Sequence, residues 1–386
     1  MLDLRRVMLR LGTGTLTAAL GLGCALAVGR LPPGDWVWRA AALTMTPAAA
    51  FGAWQAELAE DGDTARTMAA PDTETDGAPT APTPAPAATP EPASEPAAEV
   101  SPTPVPSAEP SASAPPDLTD AGTIRAQFYP QGSGDGYVQL SAGSIKNSTQ
   151  HTDAELAEAA QGELPFAVEL DSEEPQVLIL HTHATETYQP WDDLVYDPDF
   201  SARTTDTSQN MCAVGDRMTE ILNEAGICTV HDTTLHDSPS YTESYARSAQ
   251  TARAWLEQYP SIKVILDVHR DAIETSDGVR VKPLCQIEGQ DTAQVMIIAG
   301  CDNGNTVTLP HWQQNLKFAA AWETEMESLY PGLTRPVLCG YRFYNQDVTT
   351  GSLLIEIGGH ANTLPEAVRA GEYAARALAA LFRGES

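Results

Sequence analysis

The sequence predicts an α/β fold in its C-terminal part, with a mostly parallel sheet flanked by helices. Three short apolar runs, at 176–180, 263–268 and 352–357, support this prediction. Runs of this length and composition are typical of strands that are buried on both faces of a parallel sheet. Between them lie segments with apolar residues at helical spacing, and this alternation of strands and helices favours parallel pairing.

The predicted elements follow one another from Gln176 onward. A helix begins near Met211 and ends before Gly226, because glycine commonly follows the last turn of a helix. Pro365 lies near the start of the last amphipathic segment, where proline is well tolerated. The other predicted helices are 240–259, 311–329 and 367–382, and the other predicted strands are 228–231, 337–344 and a hairpin of 279–287 with 293–299.

The start of the chain predicts an exported, anchored protein. Residues 1–10 carry three arginines, and residues 11–29 contain no charged side chain. A helix of that length spans roughly 28 Å, close to the hydrocarbon core of a membrane. The arginines place residues 1–10 in the cytoplasm and the rest of the chain outside. A signal peptide cleaved near Ala25–Ala27 is the alternative.

A juxtamembrane segment at 30–60 and a linker at 61–122 are predicted to follow. Fourteen of the 29 prolines lie between Pro71 and Pro116, with almost no large apolar side chain. Such a segment cannot bury enough surface to offset the entropy of ordering, so we expect a disordered tether. A small N-terminal extension at 123–170 and a catalytic domain at 171–386 complete the predicted organisation.

Two compositional features exclude classes of function. The chain has 52 acidic and 22 basic residues, a net charge of −30, which argues against a nucleic-acid partner. The cysteines after the apolar N-terminal segment include no CxxC pair, which argues against a zinc ribbon and for buried free thiols. These cysteines are Cys212, Cys228, Cys285, Cys301 and Cys339.

Four of the eight histidines lie where the three apolar runs end. The first run is followed by 181–186, the second contains Asp267 and is followed by 269–271, and the third is followed by 358–362. Carboxyl ends of parallel strands meet at one edge of a sheet, so these polar groups should converge there. Histidines with a carboxylate are the ligands of hydrolytic zinc sites. The sequence therefore predicts a metal-dependent hydrolase.

Individual roles follow from the residue types. His181 and His183 point the same way if the segment is extended, so one or both are expected as ligands. His269 from the neighbouring strand and Glu186 from a following turn are the other candidates. Glu356 lies within an apolar strand, where a carboxylate is costly unless it is paired or functional, so it is the candidate general base. The remaining histidines are expected on the surface or at helix caps: His151, His231, His236 and His311.

These motifs resemble those of the stage II sporulation protein P family, from about Gly136 to the C-terminus. The matching segments are VLILHTHATETY at 177–188, ILDVHRDA at 265–272, NQD at 345–347 and SLLIEIGGHANT at 352–363, with 144–148 and 164–166 upstream. The resemblance implies an amidase-3-like fold and a zinc-dependent N-acetylmuramoyl-L-alanine amidase with additional endopeptidase activity on peptide cross-links. It further implies action on peptidoglycan at the engulfing membrane during sporulation, alongside the stage II sporulation proteins D and M.

The resemblance also implies site roles. His183 matches the first ligand, His269 the second histidine and Glu356 the catalytic glutamate. The family's glutamate ligand should open the first helix, but Asn210 stands there. Glu186 is therefore assigned that role, with His181 as the second candidate.

Arg270 and the overall function each leave alternatives open. Arg270 either pairs with Asp271 or Glu356, or binds a peptide carboxylate or the developing oxyanion of the substrate. A peptidase that cuts only cross-links is one alternative to the amidase. A wall-binding or scaffold module with little or no catalysis is the other, and Asn210 is the residue that favours it.

Overall fold

The computed structural model describes residues 120–384. The predicted segments 1–10, 11–29 and 30–60, and nearly all of the linker 61–122, lie outside these residues. Within 120–384, no helix combines the length and the apolar character needed to cross a membrane.

Twelve strands and five helices form in the described part of the chain. The strands are β1 (Gly122–Gln127), β2 (Tyr137–Gln139), β3 (Ser144–Ser148), β4 (Val177–Leu180), β5 (Val195–Tyr196), β6 (Thr229–His231), β7 (Val264–Asp271), β8 (Arg280–Ile287), β9 (Gln290–Ala293), β10 (Val295–Gly300), β11 (Val337–Gly340) and β12 (Gly351–Gly359). The helices are α1 (Asp153–Ala159), α2 (Met211–Glu224), α3 (Ser244–Gln258), α4 (Trp312–Leu329) and α5 (Leu364–Arg383).

An eight-stranded mixed sheet carries the fold, in the order β2-β3-β11-β10-β12-β7-β4-β6. The strands β12, β7, β4 and β6 run parallel to one another. The strand β10 is antiparallel to β12 and parallel to β11, which is parallel to β3. The ends of β4, β7 and β12 therefore meet at one edge, here named the carboxyl edge. A smaller sheet, in the order β5-β1-β8-β9, forms separately.

The segment at 123–170 supplies strands to both sheets. Most of β1 lies within it and pairs in parallel with β8 of the smaller sheet. The strands β2 and β3 form one end of the large sheet. This segment is therefore built into the same sheets as the rest of the described chain.

Helices cover both faces of the large sheet. Apolar side chains of α2, α4 and α5 share one core with Val264, Leu266 and Val268 of β7. Ile265 points to the other face, where it packs in a second cluster with Ala252 of α3. Because side chains alternate along a strand, Asp267 and His269 lie on the α3 side as β7 reaches the carboxyl edge.

Most elements predicted from the sequence are confirmed, but the predicted hairpin partner is wrong. The strand β8 pairs with β9, at 290–293, and not with 293–299. Glu288 and Gly289 both have positive φ, of 54° and 80°, which allows a two-residue turn that brings the chain back at once. The strand β10 then leaves the hairpin and pairs with β12 in the large sheet.

Other predicted bounds also change, and the prediction for the cysteines is confirmed. The strand predicted at 337–344 ends at Gly340. The last helix begins at Leu364, before its predicted start, because Thr363 and Glu366 form a capping box. All five cysteines within 120–384 are free, and four are buried.

Gly371 on α5 permits close packing against α2, and its replacement by leucine should destabilise the fold. A Cβ atom at this position would lie 2.8 Å from Val214 Cγ1. We expect Gly371→Leu to lower the free energy of unfolding by about 1–3 kcal/mol, as overpacking of a core does. Urea denaturation measures the change, with Arg376→Leu, exposed on the same helix, as control. Equal effects of the two substitutions would contradict this account.

Candidate metal centre

Three buried side chains converge at the carboxyl edge: His183, Glu186 and His269. One ligand atom from each lies within 4.8 Å of the others. His183 Nδ1 is 3.7 Å from Glu186 Oε1, and His269 Nδ1 is 3.7 Å from Glu186 Oε2. Two imidazoles and one carboxylate are a donor set that zinc takes in hydrolytic sites. The arrangement can therefore hold a divalent metal.

A tight turn after β4 brings His183 and Glu186 to the same place. The strand ends at Leu180, and the amide of Glu186 donates to the carbonyl of His183 at 3.1 Å. The carbonyl of Glu186 then accepts from the amide of Met211 at the start of α2, at 3.0 Å. Asn210 caps that helix, since its side chain accepts from the amide of Cys212.

Asp267 supports the candidate ligand His269 from two residues earlier on the same strand, β7. His269 Nε2 is 2.8 Å from Asp267 Oδ1, so the ring donates there and leaves Nδ1 to face Glu186. A carboxylate behind a ligand histidine fixes its tautomer and raises its basicity. Asp267 is itself held by the amide and hydroxyl of Thr182, at 2.7 and 2.6 Å. The donor set fits a metal in its supporting contacts as well as in its ligands.

His183 has one unused nitrogen and two aromatic neighbours. Its Nε2 is buried and without a hydrogen-bond partner among the described residues. Tyr241 stacks on the ring at a centroid distance of 4.5 Å, and Tyr245 of α3 meets it edge-on at 5.4 Å. Burial, followed by the nearby His269, lowers the pKa of His183 to about 4. The ring is therefore neutral near pH 7, the form in which histidine binds metals.

The carboxylate of Glu186 is kept ionised by a buried arginine. Burial alone raises the pKa of Glu186, but Arg270, followed by His269 and His183, holds it below its usual value. The guanidinium of Arg270 also donates to the carbonyls of Thr187, at 2.7 Å, and Ala202, at 2.8 Å.

These contacts of Arg270 differ from both sequence predictions, an ion pair with Asp271 or Glu356 and a contact with the substrate. Its third side-chain hydrogen bond goes to the backbone carbonyl of Asp271, at 3.3 Å, and the residue is 7% exposed. The ion partner of the Asp271 carboxylate is Arg335, at 2.9 Å. Arg270 therefore positions the turn that carries Glu186 and does not face solvent.

Glu356 lies beside the cluster on β12, in register with His269. Its Oε2 atom is buried and has no hydrogen-bond partner in the described chain. Burial of the carboxyl group, followed by repulsion from Asp271, raises the pKa of Glu356 to about 8. A carboxyl group whose pKa is raised toward neutrality is suited to accept and return a proton.

His181 lies outside the cluster, because the turn separates it from His183. Its Nδ1 donates to the carbonyl of Val268 at 2.7 Å, and its Nε2 is 2.8 Å from Nε2 of His231. His231 in turn bonds to Asp216 at 2.8 Å. Burial, followed by His231, lowers the pKa of His181 to about 3. Both of its nitrogens are thus engaged in joining β4, β7 and β6.

The expectation that His231 and His236 lie on the surface is wrong. The side chain of His231 is 6% exposed, and His236 is 2% exposed. His236 bonds through Nδ1 to the carbonyl of His181 and through Nε2 to Thr251. His311 does stand at the start of α4, as expected of a helix cap. His231 ends β6 and is buried because it bonds to the side chains of His181 and Asp216, whereas His236 lies in a loop and bonds to a backbone carbonyl.

Residues that contact the cluster but have no role assigned from the sequence include Asp267, Tyr241, Tyr245 and Arg203. Asp267 and His269 are two residues apart and therefore lie on one face of a strand, so their contact could have been predicted from the sequence. Tyr241 and Arg203 lie in irregular segments, where no periodicity indicates which way a side chain points.

Replacement of Asp267 by asparagine should weaken metal binding. We expect Asp267→Asn to reduce zinc affinity about 10- to 100-fold, because His269 loses its charged partner. Asp216→Asn is the matched control, since it alters a carboxylate–histidine pair outside the donor set. Competition with a chelating dye measures both affinities. A similar loss in the two variants would contradict the assignment of His269 as a ligand.

Two solved structures share low similarity with this chain. The CwlD amidase from Clostridioides difficile, in complex with the GerS lipoprotein, is 13% identical, with a TM-score of 0.34, over 54% of this chain and 97% of that one. The catalytic domain of CwlV, an N-acetylmuramoyl-L-alanine amidase from Bacillus (Paenibacillus) polymyxa, is 11% identical, with a TM-score of 0.30, over 54% and 97%. These values are too low to transfer residue roles.

Sequence comparison gives the family. The stage II sporulation protein P of Bacillus subtilis (strain 168) is 30% identical over 217 residues, which are 53% of this chain and 51% of that protein. The chain thus matches about half the length of this relative. The family model of stage II sporulation protein P matches residues 129–379, which include every residue of the cluster. The chain belongs to the stage II sporulation protein P family.

Proposed function

We propose that this protein is a zinc-dependent N-acetylmuramoyl-L-alanine amidase, with additional endopeptidase activity, that degrades peptidoglycan during engulfment. One observation carries the proposal: a buried donor set of His183, Glu186 and His269, with the carboxyl group of Glu356 in register beside it. Membership of the family supports the choice of peptidoglycan as substrate.

Each residue has a defined task in this mechanism. His183, Glu186 and His269 would hold a zinc ion, and Asp267 keeps the ring of His269 oriented. When bound, the ion would supply Lewis acidity and positive charge for water activation and polarisation of the amide carbonyl, and would lower the pKa of nearby carboxyl groups. Glu356 takes a proton from the attacking water and returns it to the leaving amine nitrogen.

The site accounts for cleavage of an amide bond and leaves the choice of amide to substrate contacts. The lactyl amide of N-acetylmuramic acid and the amides of peptide cross-links present the same carbonyl and nitrogen to Glu356. Both activities therefore need only one catalytic centre.

The proposal includes a place in the cell. Residues 11–29 anchor the protein in the membrane, residues 61–122 hold the domain away from it, and the stage II sporulation proteins D and M are its partners. The resemblance of the motifs to the family supports this arrangement. Fractionation of sporulating cells tests it, and recovery of the intact protein in the soluble fraction would contradict the anchor.

Replacement of Glu356 by glutamine should separate metal binding from turnover. We expect Glu356→Gln to retain zinc and to lose about 10²- to 10⁴-fold in rate, because the proton carrier is removed while the donor set stays intact. Metal analysis and the release of stem peptides from purified peptidoglycan measure the two effects. Glu323→Gln, at a buried glutamate of α4, is the control. Zinc lost together with activity would instead make Glu356 a ligand.

Removal of the metal should abolish activity, and product analysis identifies the bond that is cut. After treatment with a chelator we expect no release of peptides, and full recovery on addition of zinc. Mass spectrometry of the products separates an amidase, which yields glycan chains and intact stems, from a peptidase that cuts only cross-links. Full activity of a metal-free preparation would contradict the zinc mechanism. An inert wild-type protein that binds cell walls would support the scaffold alternative.

A further inference from the structure

We propose that Arg203 is the residue that binds the substrate, by pairing with a free carboxylate on the stem peptide of peptidoglycan. The inference rests on the proposed function, because it names a subsite beside the same metal centre. It assigns to Arg203 the carboxylate contact that the sequence suggested for Arg270.

A short antiparallel ribbon places Arg203 next to the metal cluster. Glu186 and Arg203 face each other in an isolated bridge. The amide of Thr187 donates to the carbonyl of Ala202 at 3.1 Å, and the amide of Thr204 donates to the carbonyl of Thr185 at 2.8 Å. Arg203 is therefore held by backbone pairing to the segment that carries a candidate metal ligand.

The guanidinium of Arg203 makes its hydrogen bonds through one nitrogen only. Both of its hydrogen bonds within the described residues leave from Nη1, to Asp237 Oδ2 at 2.7 Å and to the hydroxyl of Thr185 at 3.1 Å. Its Nη2 forms an ion pair with Glu186 Oε1 at 3.6 Å, which is too long for a hydrogen bond. The carbon at the centre of the guanidinium lies 4.9 Å above the ring of Tyr241. The group is oriented, yet Nε and Nη2 keep donors for a ligand.

Exposure distinguishes Arg203 from the other arginines at this edge. Its side chain is 40% exposed, whereas Arg270 is 7% exposed and donates to backbone carbonyls. Arg335 is 6% exposed and is paired with Asp271. Of these three arginines, only Arg203 can meet a ligand from solvent without a rearrangement of its side chain.

The charge around the cluster favours a carboxylate as the partner. The carboxylates of Glu186, Asp237 and Asp267 lie at or beneath this edge. A negatively charged stem peptide is repelled by such a surface unless a cation receives it. The planar guanidinium matches a carboxylate with two parallel donors, which lysine cannot supply. Because Arg203 is exposed beside the metal cluster, it suits a carboxylate that lies beyond the scissile amide.

The test compares two soluble muramyl peptides that differ only in their carboxyl groups. One carries free carboxylates, and the other carries carboxamides at the same positions. The full chain is assayed as wild type and as Arg203→Gln and Arg203→Lys, with kcat and KM determined separately. Arg253→Gln and Arg253→Lys are matched controls, since Arg253 of α3 is an exposed arginine paired with Asp347 at 2.9 Å. Circular dichroism and zinc content verify folding.

We expect the wild type to prefer the free carboxylates, and Arg203→Gln to raise KM for that peptide about 10- to 100-fold with little change in kcat. Arg203→Gln should show the same KM for both peptides, and Arg203→Lys should show a preference between those of Arg203→Gln and the wild type. The Arg253 variants should show the same preference as the wild type. An unchanged preference in Arg203→Gln overturns the inference. An equal fall of kcat on both peptides also overturns it, because that result indicates a role at the reacting carbonyl.

A binding measurement separates this inference from the proposed function. Calorimetry of both peptides with Glu356→Gln, and with Glu356→Gln combined with Arg203→Gln, needs no turnover. If the wild type cleaves neither peptide but the first variant still prefers the free carboxylate, the proposed function fails and the carboxylate subsite stands. If the wild type cleaves both but the two variants bind them equally, the subsite fails and the function stands.

Discussion

A carboxylate kept ionised inside the protein is the constraint on which the site depends. Glu186 lies between two imidazoles at the carboxyl edge, where burial disfavours its charge. Arg270 supplies the opposing charge and at the same time donates to the carbonyls of Thr187 and Ala202. One guanidinium therefore compensates the buried carboxylate and fixes the ribbon around it. This coupling explains why Arg270, next to His269, points inward, although the sequence also suggested that it contacts the substrate.

The pKa of Glu186 is lowered and the pKa of Glu356 is raised, and the neighbours of each carboxyl group explain the difference. Glu186 has Arg270 as its strongest charged neighbour, which lowers its pKa, whereas Glu356 has Asp271, which adds to the effect of burial. An ionised carboxylate is suited to be a metal ligand, and a carboxyl group near neutrality is suited to carry protons. Because both side chains are glutamate, their different roles arise from the charges placed next to each of them.

Elements with a regular period could be predicted from the sequence, whereas contacts made by irregular segments could not. Buried apolar strands separated by amphipathic helices predict parallel strands with converging ends, and that convergence brings His183, His269 and Glu356 together. The turn after β4 has no such period, so extended geometry wrongly aligned His181 with His183. The contact between Arg203 and Glu186 arises from a two-stranded ribbon in a loop. No local sequence pattern distinguishes the outward-facing side chain of Arg203 from the inward-facing side chain of Arg270.

The asparagine at the start of α2 is compatible with a complete donor set. The carbonyl of Glu186 accepts from the amide of Met211, so position 186 lies directly against the start of that helix. The turn that carries the candidate carboxylate ligand is thus joined directly to α2. Asn210 instead caps the helix by accepting from Cys212, a task for which asparagine is well suited. Once the turn supplies the carboxylate, position 210 is free to stabilise the helix that supports it.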